Sequence, residues 1–587
     1  MSESPAAARR ALRARWGRLQ AEADADGVER PRVAVMATFT ADPLAPYLGC
    51  ALTDRGVPAR LELAPYNQVV QTCLSGGAAF GPAPLAATVA LWRLEDVAGD
   101  AFARAHVDEA AAQALLDDAV TELAHAFAAY QRARPGLLIV ALPPAPESPH
   151  IERLGLVDPV LFGRLHRRAV ERFTAALPMS PDMALVCLDA LVRTLGHTEA
   201  YDRRKGYLFR QPFSETFWQG LGEQLARLVR ARRVAARKVI AIDCDNTLWG
   251  GVVGEDGLDG IRLGAEFPGS AFRDVQARLL DLKAKGVLLT LVSKNNEADV
   301  WEVFDKHEGM RLKRTDIVAW RINWLPKPEN IASLAAELNV GTDSFIFLDD
   351  SAFETEQMRT ERPEVFTLRV PEEPADMLDA LDRCEAFDRL EVTAEDRARS
   401  EMYQQERARQ VAQETLSPEE FLTRLGLRVR VAAPVDAQLT RVAQLINKTN
   451  QFNLTTLRRT PDEVAALLRS TAHRLLAVWV VDRFGDYGLT GLAVLEARED
   501  GWHLDTLLLS CRVLARGVET ALLAVIGEQL RATHAPALHA RFIPTAKNAP
   551  AADFLPSHGF TRLDDTRFVI TADALPARPA HLQIDLD

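Results

Sequence analysis

The chain has 587 residues, room for three or four domains at about 150 residues each, and its 48% apolar and 26% charged residues exclude a wholly disordered or fibrous protein. A formal charge of −12 excludes a general charge-driven affinity for nucleic acid, and no apolar run nears the ~20 residues that cross a bilayer, so neither nucleic acid nor membrane is an expected partner. The opening MSESPAAARR lacks a signal-peptide core, which predicts a cytoplasmic location, and six scattered cysteines without a C-x-x-C pair predict neither a cysteine zinc site nor a disulfide framework.

After a polar helical leader, RVAVMATFT (32–40) reads as a buried strand, followed by a loop with Asp42-Pro43 and a helix through Leu52. An Ala-rich helix over 108–134, the strand GLLIVAL (136–142), a Pro-rich loop, a helix to 177 and a strand over 183–188 continue the alternation, which predicts a doubly wound parallel sheet in a domain 1–236. That domain ends on a helix with a basic cluster, Arg227, Arg230, Arg232, Arg233, Arg237 and Lys238, which reads as a solvated face or a dock for an acidic protein. A second α/β block, 237–390, alternates strands at 239–242, 287–292, 317–322 and 345–348 with helices at 269–285, 296–306 and 328–338. A charged helical connector is expected over 391–426. The domain 427–587 has another rhythm, an antiparallel meander over 474–482, 489–497 and 502–510, then a helix over 517–533, a closing strand and a Pro-rich tail after Leu575 expected to be loosely ordered.

The sharpest chemical signal is KVIAIDCDNTLWGG (238–251), an apolar strand running into D-x-D-x-T. A strand end presents its carboxylates at the crevice where open α/β sheets bind ligands. Asp243 is placed to act as nucleophile and metal ligand, and Asp245 as acid/base for the leaving oxygen. Two such carboxylates repel a phosphate unless a hard cation lies between them, so Mg²⁺ is implied. Ser293, after the strand 287–292, offers a hydroxyl to a phosphate oxygen. Lys327, in NWLPKPEN (323–330), supplies positive charge against the transition state, and Asp349 and Asp350 complete the cation site with Asp243 and Asp245.

In this order these residues resemble the haloacid dehalogenase superfamily of aspartate-dependent phosphatases and phosphotransferases. DCDNTLWGGVVGEDG (243–257), SKNN (293–296), FLDD (347–350), NKTNQFN (447–453) and SCRVL (510–514) together look like the FkbH-like family. The resemblance implies a glyceryl transferase/phosphatase that takes 1,3-bisphosphoglycerate, removes its phosphates and loads the glyceryl unit on the phosphopantetheine of an acyl carrier protein for polyketide assembly. Thr247, Lys294 and Asn295, in the matched motifs, are then expected to touch substrate. One departure is SAFETE (351–356), where a form nearer Asn-Pro-x-Glu-Arg-Glu is expected; it leaves metal ligation intact and puts substrate contacts there in doubt.

In the third domain, Arg512, Arg516 and Gly517 compare with the R-x-x-G-x-G/A turn of GNAT acyltransferases, with Ala515 in place of the first glycine; such a turn holds a pyrophosphate or phosphopantetheine arm on helix N-terminal amides. Cys511, at a strand end and a helix start beside Arg512, is the first choice for a thioester nucleophile. Cys244 is the rival, its pKa raised by neighbouring carboxylates, and direct transfer without an enzyme thioester is the third route. His503 and Asp505 share strand parity with Cys511 and either assist it or form the polar face of a half-buried strand. Asn447, Lys448, Asn450 and Asn453 are expected to contact substrate or carrier, against an ordinary helix-ending loop; Lys547 and Asn548 grip an anion or cap a helix.

The expected fold class is thus multi-domain α/β: a haloacid-dehalogenase-like Rossmannoid core, an N-terminal SGNH-like α/β domain and a C-terminal GNAT-like α+β domain. In the first, Thr38-Phe39-Thr40-Ala41-Asp42 replaces the usual Gly-Asp-Ser segment, so no catalysis is predicted there. The rivals are a phosphatase fused to an acyl-CoA-dependent acyltransferase and a catalytically retired carrier-docking scaffold.

Overall fold

The computed structural model describes residues 5–25, 28–147, 154–234, 236–390, 392, 396–397, 399, 401–403, 405, 418–545 and 548–586, without the side chains of residues 5, 6, 24, 418, 419, 421, 448, 461 and 511. The expected connector thus lies largely outside the described residues. The chain divides into two compact units, Met1–Arg397 and Ala398–Asp587.

Unit 1 carries two five-stranded sheets. The first holds β1 (Arg32–Ala37), β2 (Arg60–Leu63), β3 (Ala87–Leu91), β4 (Leu137–Leu142) and β5 (Met183–Cys187), in the order β2-β1-β3-β4-β5. All pairs are parallel. Val33, Ala34, Val35 and Met36 are at most 3% exposed, because helices cover both faces of a parallel sheet. One of these, Glu109–Ala133, is capped by the Asp108 side chain and buries Ala112, Leu116, Val120, Leu123 and Phe127, a stripe at helical spacing.

The second sheet holds β6 (Val239–Ile242), β7 (Leu288–Ser293), β8 (Ile317–Ile322), β9 (Phe345–Asp349) and β10 (Phe366–Arg369), in the order β10-β9-β6-β7-β8. All pairs are again parallel. From the central β6 the chain builds outward to β7 and β8, then returns to place β9 on the other side of β6. Strand order reverses there, and the crevice beyond the carboxyl ends of β6, β7 and β9 is where such sheets bind ligands.

The boundary expected near 236 falls between the two sheets, which lie within one compact unit. Arg55, on the loop after β1's helix, donates through Nε to Glu385 at 2.9 Å and pairs with Glu223 as well. Arg227 grips Asp388 through two bonds of 2.7 and 2.8 Å, and Arg230 donates to the Glu385 carbonyl. Arg232 pairs with Asp182, while Arg237 donates to the carbonyls of Asp343, Phe345 and Glu364. Arg227, Arg230 and Arg237 are thus engaged in holding the segment 384–390 and the second sheet within unit 1, while Arg232, Arg233 and Lys238 are exposed.

Unit 2 is built on one eight-stranded sheet: β11 (Arg428–Ala432), β12 (His473–Asp482), β13 (Gly485–Arg498), β14 (Gly501–Leu509), β15 (Ala537–Arg541), β16 (Thr561–Arg562), β17 (Arg567–Thr571) and β18 (Gln583–Leu586). Its order is β16-β17-β15-β14-β13-β12-β11-β18. Pairing is antiparallel except at β14/β15 and β11/β18. The helix Val518–Ala532 packs on one face, and the helices Leu439–Lys448 and Pro461–Arg469 on the other. The tail is not loose: β18 extends the β11 edge in parallel register, because an open strand edge offers a row of unpaired amides and carbonyls.

Removing the Arg55 cation strands two carboxylates at a junction where its own side chain is only 15% exposed. Arg55→Ala is expected to loosen the 384–390 segment by about 2 kcal/mol, read as faster amide hydrogen exchange there with the exchange of β6 unchanged.

Candidate active site

Each chemical side chain in unit 1 stands where a strand stops. The β6/β9 ladder runs one residue past β6, with the Asp243 amide donating to the Leu348 carbonyl at 2.9 Å, and this holds Asp243 at the crevice beside Asp349, the last residue of β9. Ser293 ends β7 and is 1% exposed. Lys327 opens the helix Lys327–Glu337 and is followed by Pro328 in the first helical turn, where its missing amide leaves no bond unmade.

Lys327 reaches back into the crevice, its Nζ 2.8 Å from Asp243 Oδ1 and 2.5 Å from Asp349 Oδ2. All three side chains are at most 8% exposed. Burial alone would lower the ammonium's pKa, but the two carboxylates outweigh it and the net shift is upward. Asp349 is raised by burial and then by the Asp243 charge, with Lys327 opposing. Asp350 is pushed up to about 6 by the same two causes.

Asp243, Asp349 and Asp350 each offer a carboxylate oxygen within 4.8 Å of the others. Three carboxylates against one ammonium leave a negative, partly desolvated cluster of hard oxygen donors, the set that Mg²⁺ or Ca²⁺ takes. The residues present therefore fit a hard divalent cation.

The structure leaves the Asp245 carboxylate out of that cluster, against the expectation that it ligates the metal. Its Oδ1 accepts from Trp249 Nε1 at 2.9 Å and the Val253 amide at 3.1 Å, and its Oδ2 accepts from Asn295 Nδ2 at 2.9 Å. Burial raises its pKa, with these donors opposing. Asn295, expected on substrate, also donates to Ser293 Oγ at 3.2 Å and so orients two reactive side chains. Thr247 is fully buried with Oγ1 unpartnered. Lys294 Nζ bonds Glu354 Oε1 at 2.6 Å. Glu354, from the departing SAFETE segment, is 7% exposed with Oε2 unpartnered; an acidic residue in the first turn of the helix after Asp349-Asp350 was the signal for it.

In unit 2 the expected acyl-transfer residues are mostly committed elsewhere. Cys511 begins a short turn after β14, its side chain outside the described set. Arg516 bonds the Tyr487 hydroxyl, which donates to Asp482 at 2.8 Å, and Arg512 Nε reaches Ser510 Oγ at 3.3 Å. Gly517, at φ 82°, caps the helix Val518–Ala532 in a backbone conformation that favours glycine. Strands β14 and β15 pair only over 502–504 and 538–540. The gap beyond is bridged by main chain, Leu454 N to Leu507 O at 3.0 Å and Ile543 N to Leu454 O at 2.8 Å.

That bridge corrects the reading of the polar cluster. Asn548 is fully buried, Nδ2 donating to the Asn453 and Ile543 carbonyls and Oδ1 accepting twice from Thr545, which exhausts its bonding capacity. Asn453, also fully buried, caps the amides of Thr455 and Thr456. Asn447 clasps the Arg459 backbone and Asn450 accepts from Arg458. These side chains build the turn; Lys547 and the Lys448 side chain lie outside the described residues. Cys244 is fully buried, its thiol pushed well up by burial and by Asp243. His503 bonds Asp500 and Asp505 accepts from Arg459.

No family model and no curated protein matches the chain. Among solved structures it is similar to the N-terminal part of the protein BF1531 from Bacteroides fragilis, described as containing a phosphatase domain complexed with Mg, at 24% identity and a TM-score of 0.53 over 64% of this chain and 99% of that one. It is also matched by a spermidine N-acetyltransferase from Vibrio cholerae, described as in complex with CoA and spermine (14% identity, TM-score 0.21, 25% of this chain and 97% of that), and by the ribosomal-protein-S18-alanine N-acetyltransferase from Escherichia coli (13%, TM-score 0.20, 26% and 96%). The first likeness shows a shared multi-domain α/β fold. Among the described residues no helix is long and apolar enough to cross a membrane.

Two outcomes test the charge balance. Lys327→Met leaves buried carboxylates uncompensated, so the metal-free protein is expected to lose about 3–5 kcal/mol, with Mg²⁺ restoring more stability than it adds to the wild type; thermal unfolding in EDTA and in Mg²⁺ reads both. For Asp350, a folded pKa raised to about 6 means the fold disfavours its charge. Its destabilising contribution is absent below the unfolded carboxyl pKa of about 3.9 and complete above about 6, so metal-free stability falls as pH rises through that window. Asp350→Asn should flatten this part of the profile.

Proposed function

We propose that the chain is a Mg²⁺-dependent phosphatase joined to an acyl-transfer domain, acting on 1,3-bisphosphoglycerate to place its glyceryl group on the phosphopantetheine of an acyl carrier protein. The observation that carries the phosphatase half is the Lys327 ammonium held between Asp243 and Asp349 at the ends of β6 and β9. The Bacteroides fragilis likeness supports the same half.

In this reading Asp243 attacks phosphorus through the oxygen not held by Lys327, the phosphorus–oxygen bond to substrate breaks, and the leaving oxygen takes a proton through Asp245. Water then attacks the aspartyl phosphate, giving its proton to Asp245 and releasing phosphate and Asp243. Lys327 and Ser293 hold the phosphoryl oxygens, and Asn295 keeps Asp245 and Ser293 in register. Bound by Asp243, Asp349 and Asp350, Mg²⁺ would supply the charge that lets a phosphate approach these carboxylates.

For the acyl half, the meander, the Arg512–Gly517 turn and the parallel return strand β15 support a GNAT-like reading. An acyl phosphate carbon is attacked by a thiolate, phosphate leaves, and the thioester passes to the carrier thiol. Enclosure of Cys244 disfavours it and leaves Cys511, or direct attack by the carrier thiol. The first sheet is read as SGNH-like without catalysis of its own, because Thr38-Phe39-Thr40-Ala41-Asp42 stands where the Gly-Asp-Ser segment would be. The CoA-dependent alternative would need an anion grip from Arg516, whose guanidinium already stacks on and bonds to Tyr487.

Incubation with Mg²⁺, 1,3-bisphosphoglycerate and phosphopantetheinylated carrier is expected to add a glyceryl-sized mass without phosphate to the carrier. Asp243→Asn should lower hydrolysis of the phosphate ester by at least about 10³-fold with unit 2 still folded, so that the mass added to the carrier retains that phosphate. Phosphate release without a mass gain would leave a phosphatase and remove the acyl assignment.

A further inference from the structure

Unit 2 carries a cluster that the reaction above does not use. His473, Glu496, His503 and His539 are register partners across four adjacent strands, His473 with Glu496 from β12 to β13, Glu496 with His503 from β13 to β14, and His503 with His539 from β14 to β15. Register partners project from the same face of a sheet, so three imidazoles and a carboxylate form one row. Asp500, in the turn between β13 and β14, closes one end of it. Its Oδ1 lies 2.8 Å from His503 Nε2 and its Oδ2 3.6 Å from His539 Nε2. The two imidazoles stack at 4.6 Å between centroids and 11° between planes.

We propose that Asp500, His503 and His539 form a binding site for a divalent transition-metal ion of the zinc class. One ligand atom from each residue lies within 4.8 Å of the other two. Bonds of about 2.1 Å in tetrahedral geometry place ligand atoms about 3.4 Å apart, and the separations of 2.8 Å from Asp500 Oδ1 to His503 and 3.6 Å from Asp500 Oδ2 to His539, each through a different oxygen of the one carboxylate, are of that order. Two imidazoles with one carboxylate select Zn²⁺, Co²⁺ or Ni²⁺ over Mg²⁺, the reverse of the all-oxygen cluster of unit 1.

The site is built on strands and is held from outside. Gly501 lets β14 approach β15 so closely that a Cβ there would lie 2.5 Å from the Ala537 carbonyl oxygen, and this approach sets His503 against His539. Both histidine side chains are 23% exposed and Asp500 is 61% exposed, so the ligand atoms are supported from below and open to solvent above, where a fourth ligand can be water. The nearby Arg498 is bonded to Glu496 at 2.6 Å, which tempers its repulsion of a cation. A bound ion would pin the β14/β15 junction, where only three residue pairs hold the strands before they part.

The test uses the full chain in excess Mg²⁺, which saturates the oxygen cluster, with Zn²⁺ titrated against a chromophoric chelator. One equivalent of Zn²⁺ per chain is expected. His503→Gln and His539→Gln should each weaken it at least tenfold, while Asp349→Asn keeps it. Wild-type protein provides a second readout: Zn²⁺ should protect His503 and His539 from carbethoxylation by diethyl pyrocarbonate, read by peptide mass, and Co²⁺ should develop visible d–d absorption. No competitive uptake, or uptake unchanged in the double glutamine variant, would overturn the proposal and leave a hydrogen-bonded surface cluster. Unprotected histidines in zinc-saturated protein would overturn it too.

Discussion

The structure of unit 1 turns on one ammonium group placed between two buried carboxylates. Each buried ion costs several kcal/mol of lost hydration, and that cost is offset only where partners are direct and fixed. Lys327 meets the condition because its helix begins at the crevice, and because β6 and β9 run parallel to end side by side with Asp243 and Asp349 in reach. The third carboxylate, Asp350, exceeds what one lysine can balance, and the upward shift of its pKa records the excess. A cluster left short of positive charge is poised to gain a cation.

Around that centre, satisfied and unsatisfied hydrogen bonds separate roles. Asp245, held by Trp249, Val253 and Asn295, is oriented and kept out of the cation cluster although it lies two residues from Asp243. Asn548 and Asn453 show the same logic in unit 2, where amide side chains with every bond used stitch a turn into the parting between β14 and β15. The two candidate cation sites differ in donor chemistry, oxygen alone in unit 1 and imidazole with carboxylate in unit 2, so each selects its own class of ion.

The arginines after the first sheet show how charge becomes architecture. Exposed ion pairs contribute little, but Arg55, Arg227 and Arg230 converge on the single segment 384–390, where several charge-assisted bonds act together. Two sheets that could have been separate domains are thereby carried in one body.

Much was legible in the sequence because it is local. Apolar strand-length runs such as 239–242 and 345–348 must be buried on both sides, and the residues that follow them must emerge at a sheet's edge, so Asp243, Ser293 and Asp349 could be placed from order alone. The short strands β2, β10 and β18 were not legible, since RLEL, FTLR and QIDL have the polarity of loops and become strands only through the neighbour each one meets. The order of motifs also put Asp350 in the cation cluster, but spacing could not tell that Asp245 turns away from it, or that Asn548 is used up within the turn. Periodicity determines an element and the face it buries; which side chains meet depends on contacts between residues far apart in the chain, and only the tertiary structure decides those.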